Sequence, residues 1–148
     1  SRINLKSIKK WPENISLNVN LPNSKIYKEL IKFKNKIIQK RFFSFKNKLK
    51  NKDIFLYCRS KYALATLKIL RLNNFKVKNI IDDNPTYRKN KYFNLKVISL
   101  SNFLTKVANS KSKIYVIINH QNKKIIKTIT KVLEKNKIPK TQIGAIKY

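Results

Sequence analysis

Three observations predict an α/β fold, an open parallel sheet with helices on both faces. From residue 53 onward, short apolar runs alternate with stretches of helical periodicity, and the joints between them are short. Strands linked by helical crossovers run parallel and are covered on both sides, so they read as near-continuous apolar runs. The length of 148 residues suits one domain that buries its core without covalent staples.

The elements follow in order. Residues 1–23 form an irregular segment with two prolines and one short alternating piece, ISLNVN, which reads as a linker or an edge strand. Ser24 is placed to cap a helix. Ile26, Leu30, Phe33, Ile37, Phe42, Phe45 and Leu49 then recur at spacings of three to five, predicting a long amphipathic helix over 24–50 with a lysine-rich opposite face. DIFLYC is a buried strand, SKYALATLKILRLNN a helix, FKVKNII a second strand and LKVIS a short third one. SLSNFLTKVANS gives a short helix capped by Ser99 or Ser101. KIYVIIN is the most apolar strand, NKKIIKTITKVLEKN a helix with Ile125, Ile129, Val132 and Leu133 on one side, and QIGAIKY a last strand. No internal repeat or low-complexity tail interrupts this order.

Composition removes several function classes. A single cysteine, Cys58, excludes an internal disulfide framework and a multi-cysteine zinc site, and a single histidine, His120, excludes a histidine-rich metal site. The longest apolar runs span only a few residues, so neither a secretory signal nor a transmembrane helix is expected, and the default compartment is cytoplasmic or an organellar matrix. The chain begins at Ser1 and has no methionine, the expectation for a processed product or a piece of a longer protein. Thirty-six lysines and arginines against six acids give a net charge of +30. A/T-rich codons account for much of the lysine. They do not account for the scarcity of aspartate and glutamate, so a real positive potential remains, attractive to RNA, anionic lipid and phosphorylated ligands.

In open parallel sheets ligands bind beyond the carboxyl ends of the strands, where the strand order reverses. Three segments answer to that rule: Arg59, Ser60, Lys61 and Tyr62 after the first strand, Asp82, Asp83 and Asn84 after the second, and Asn119 and His120 after the apolar one. Arg59, Ser60, Lys61 and the first amides of the following helix are phosphate ligands by type. Asp82 and Asp83 stand roughly two dozen positions beyond the first loop, where a doubly wound nucleotide-binding fold keeps the carboxylate that accepts ribose hydroxyls. Asp-Asn-Pro is equally a strong turn former, with the carboxylate bonding nearby amides. The first loop, YCRSKYA, lacks the glycines that let backbone approach a pyrophosphate, which argues against a classical NAD site. Cys58 reads as a nucleophile at a helix N-terminus or, more simply, as a small residue closing a strand. His120 has no visible serine and carboxylate partners for base catalysis. Trp11, Tyr87, Tyr92 and Phe93 are either stacking surfaces or core.

The pieces IFLYCRSKYA, NIIDDNP and NLKVISLSNFL, followed by IYVIINHQNKKIIKTITKVLEK, resemble the Rossmann-like domain at the N-terminus of bacterial sugar O- and N-acyltransferases. Similar modules follow some C-methyltransferases and glycosyltransferases of surface-sugar synthesis. The likeness covers residues 53–146. It departs from the family where turn glycines are replaced around Cys58 to Ser60 and at Asn94. The resemblance implies a nucleotide-sugar role for residues 58–62 and for Asp82 or Asp83, with the chain acting as an accessory domain of a transferase. The acyltransferase β-helix of hexapeptide repeats is absent from the sequence, as is a recognisable S-adenosylmethionine site, so no catalytic residue is assigned. The helix expected over 24–50 fits a module placed downstream of a catalytic domain. Two other readings stand beside this one: a basic RNA-associated protein such as an organellar ribosomal component, and a scaffold that kept the fold and lost its ligand.

Overall fold

A computed structural model describes residues 46–89 and 91–146. The N-terminal segment and most of the helix expected over 24–50 lie outside the described residues; the helical stretch α1 (Lys46–Leu49) ends in the fully buried Leu49. Beyond it come β1 (Asp53–Tyr57), α2 (Lys61–Leu72), β2 (Val77–Ile81), α3 (Pro85–Arg88), β3 (Val97–Ile98), α4 (Leu100–Lys106), β4 (Ile114–Ile118), α5 (Lys123–Lys135) and β5 (Ile143–Ala145). Short 3₁₀ turns precede β4 and β5.

The five strands form an all-parallel sheet in the order β3-β2-β1-β4-β5. This is the Rossmann-like order, and the direction of strand addition reverses between β1 and β4. Both faces are covered. Ile54 and Leu56 of β1, Tyr115 and Ile117 of β4, and Ile80 and Val97 pack with Ala63, Leu67 and Leu70 of α2. Phe55, Ile81, Ile98 and Val116 pack on the other face with Phe103 of α4 and Leu133 of α5. Phe55 and Phe103 meet edge to face at 4.8 Å.

Val77 and Ile80 share a face although three positions separate them, against the period of two. The register explains this: Ile54 lies opposite Val77 but Phe55 lies opposite Asn79, so Lys78 is an extra residue. The bulge shifts the alternation by one, aims Lys78 outward toward Asp53 at 4.0 Å, and turns buried Asn79 to accept from Lys106 Nζ at 2.6 Å.

The chain's one glycine, Gly144, is not at positive φ; left-handed positions fall on Asn51, Cys58, Asn74, Phe93, Asn94 and Lys137. Two of these close helices by the same device. After α2, the Asn74 N–H donates to Arg71 O and the Phe75 N–H to Leu70 O; after α5, Lys137 donates to Glu134 and Ile138 to Leu133. Phe93 and Asn94 form the two-residue tip of a small hairpin, in which Tyr92 and Leu95 exchange both backbone bonds. Positive φ at both tip residues is the type I′ requirement, which is why a glycine would be favoured at Asn94.

Candidate functional site

All nine residues singled out as ligand contacts lie on the three loops that leave the carboxyl ends of β1, β2 and β4, or at the start of α2. The ladder continues past the strands and draws the loops together: the Cys58 N–H donates to Ile81 O, the Asp82 N–H to Ile98 O, and the Asn119 N–H to Tyr57 O. Side chains then lock the arrangement.

Ser60 is the cap of α2. Its hydroxyl oxygen accepts from the Ala63 N–H at 3.3 Å while the hydroxyl donates to the Asn119 carbonyl at 2.9 Å, so one residue both starts the helix and ties it to β4. Asn119 is 1 % exposed. Its Oδ1 accepts from the buried Thr66 hydroxyl at 2.8 Å, and its Nδ2 donates to Ile117 O at 3.1 Å. Asn119 is therefore a cross-brace inside the sheet's switch point, and its side chain faces protein. His120 Nδ1 accepts from the Asn122 N–H at 3.0 Å, which places the proton of the neutral ring on Nε2.

The aspartates bond backbone amides. Asp82 Oδ2 accepts from the Arg59 N–H at 2.8 Å and its Oδ1 from the Asn84 N–H at 2.9 Å, joining the first loop to the second. Exposed Asp83 accepts at Oδ1 from the Leu100 N–H at 2.9 Å, the first amide of α4, where a carboxylate also complements the helix dipole. Asn84 caps α3 through the Thr86 N–H. The local turn bond at Asp-Asn-Pro comes from Asp82, through the Asn84 N–H, while Asp83, the carboxylate read for the turn, bonds the Leu100 amide 17 residues on.

The Arg59 guanidinium sits between two rings, 4.4 Å from the centroid of Tyr87 and 4.4 Å from that of Tyr92. Tyr92 also donates its hydroxyl to Ser60 O at 3.2 Å. The aromatic residues of the variable loop therefore close over the first loop. Lys61 is exposed beside the Tyr62 ring at 5.5 Å. Thr66 and Tyr57 belong to the network and were missed by sequence reasoning; a hydroxyl on the apolar, alanine-rich face of α2 was the available signal for Thr66.

Cys58 stands at φ 78°, in the left-handed region that favours glycine. Burial first, and then the Asp82 charge, push its thiol up to about 12, so the thiolate needed for nucleophilic attack is scarce near neutrality. The simpler reading, a residue closing the strand, agrees with this environment. Cys58→Gly is expected to leave stability unchanged or raise it, because relief of the left-handed strain offsets glycine's extra unfolded-state entropy and the lost thiol packing. Cys58→Val is expected to lower stability by about 1 kcal/mol, since a β-branched side chain tolerates positive φ worst. Paired urea titrations check the order. A valine variant more stable than the glycine one would mean that packing, not φ, governs this position.

Among the described residues no cluster of three histidine, cysteine, aspartate or glutamate side chains is placed to hold a metal ion, and no helix is long and apolar enough to cross a membrane. Comparisons with protein-family models, with curated proteins and with solved structures find no match for the chain.

Proposed function

We propose that the domain is an accessory module of a sugar-modifying enzyme, one that holds a nucleotide-linked sugar by its phosphates and does no chemistry of its own. The observation that carries this reading is the strand reversal between β1 and β4, with the N-terminus of the twelve-residue α2 beside it and Arg59 and Lys61 flanking that terminus. Helix amides and cations converging at a switch point are what a pyrophosphate needs. In this proposal Arg59, Ser60 and Lys61, with the amide of Tyr62, meet phosphate. Both Asp82 oxygens accept protein amides, so Asp82 shapes the loops. Exposed Asp83, with Asn84 next to it and His120 beyond β4 at the same carboxyl end of the sheet, is the group offered to ribose or sugar hydroxyls.

A specific observation favours a second reading, the scaffold without a ligand: Arg59 is already clamped between Tyr87 and Tyr92. A thermal-shift panel separates the two. It is run at about 0.3 M salt, where the screening length falls well below 10 Å and diffuse attraction to a +30 chain fades. The ligands are nucleotide sugars, dinucleotides, acyl-CoA, S-adenosylmethionine and a short structured RNA. A shift with one nucleotide sugar that grows with concentration, and is lost in Arg59→Ala, is the expected result. Stabilisation by RNA alone would transfer the function to a ribonucleoprotein. No shift with any ligand would leave the scaffold reading.

A further inference from the structure

The sheet ends at β5, which pairs only with β4 among the described residues. Beside this edge, between α5 and β5, runs an open groove of about 550 Å³. Ile126 and Ala145 contribute its apolar floor, while Lys123, Lys127 and Lys131, spaced four apart along one flank of α5, and Lys140 from the turn before β5 form its rim. Among the described residues none of these four ammonium groups has a protein partner. One carboxylate, Glu134, shares the groove with them.

Two features give this edge meaning beyond a solvated lysine face. First, Ile126 of α5 is only half-buried and lines the groove with Ala145, so apolar surface is left uncovered among the lysines. Second, the chain's single glycine is the middle residue of β5. Its φ is not positive, so backbone conformation does not call for glycine there. Where six left-handed positions among the described residues are filled by other residues, a glycine kept in an edge strand leaves room for a second backbone to approach.

We infer that the β5 edge and the α5 groove receive an extended, acidic segment of a partner protein, which adds a strand beside β5, seats apolar side chains against Ile126 and Ala145, and sets its carboxylates among the four lysines. Backbone bonds along an open edge supply the affinity in such strand addition, and the flanking side chains supply selectivity. Charge decides the occupant. Lysines along an edge repel another strand of the same kind, and a second copy of this chain brings a further +30. An acidic segment meets four cations against one carboxylate.

The test uses the full chain and a short, end-blocked peptide of valine, aspartate and glutamate, followed by backbone amide shifts and hydrogen exchange, with a matched valine and lysine peptide and a short RNA as comparisons. Expected are shifts and slowed exchange at Ile143, Gly144 and Ala145 with the acidic peptide, no response to the lysine peptide, and binding weakened about tenfold or more by the charge reversal Lys127→Glu with Lys131→Glu. Both lysines are exposed, so the variant keeps its fold, checked by an unchanged unfolding midpoint. Perturbation of α5 without β5, equal binding by the charge-reversed variant, or a response to RNA but not to the acidic peptide would each overturn the inference.

Discussion

Asn119→Ala is expected to lower the unfolding free energy by about 3 kcal/mol, from lost hydrogen bonds in a dry site together with the small cavity that the truncation leaves. The side chain is 1 % exposed and braces three elements at once: its Oδ1 holds the Thr66 hydroxyl of α2, while its amide donates to Ile117 O and, at 3.5 Å, to Tyr57 O. A residue that met a ligand instead would cost little to truncate in the free protein. Thr66→Val keeps volume and removes the hydroxyl, so it should cost about 1 kcal/mol, and the double variant should fall short of the sum by about 1 kcal/mol. Urea titrations of the four proteins, at constant slope, measure the cycle. Strict additivity would show that the contact between Thr66 and Asn119 carries no energy of its own.

The same residue shows what was legible and what was not. Asn119 was placed at the switch point because it follows the most apolar strand, and that placement holds: it lies directly beyond β4. Whether its side chain turns outward to a ligand or inward to Thr66 is set by the packing of α2, which lies 53 residues away in sequence. The strands and helices were readable for the opposite reason. IYVII is buried at every position of β4, and the Ser99 cap is a local signal that needs no distant partner. Of the two candidates for capping α4, Ser99 is the one that does so, accepting from the Asn102 N–H at 3.1 Å. The bulge at Lys78 was hidden, because an extra residue in one strand is defined only by its neighbour. Left-handed φ at Cys58 and Asn94 was not legible from the residues themselves, since neither is a glycine; only the resemblance, which carries turn glycines near both places, pointed there, and the glycine-free loop still turns as glycine would.

Asp82→Ala is expected to cost about 2 kcal/mol in the absence of any ligand. Its carboxylate accepts from two amides on different loops, Arg59 N–H at 2.8 Å and Asn84 N–H at 2.9 Å, and charged acceptors make the stronger bonds. The side chain is half-buried, which keeps the expected cost below that of two fully desolvated charge-assisted bonds. Without it, the first loop loses its anchor to β2 just past Cys58, a residue already held at positive φ, so the damage should spread to the Arg59 stack between Tyr87 and Tyr92. Asp82→Asn retains one acceptor oxygen and turns an NH₂ toward the other amide, so it should recover at most half of the loss. Asp83→Asn provides the contrast: one exposed bond to the start of α4 can be kept by the amide oxygen, and stability should change by less than about 0.5 kcal/mol. Denaturant unfolding gives the energies, and amide exchange at Arg59 locates them. Faster exchange at Arg59 in Asp82→Ala, with Asp83→Asn unchanged there, is the signature of a loop anchor. Full protection at Arg59 in Asp82→Ala would remove the anchor role and leave ligand contact as the remaining reason for a carboxylate at that position.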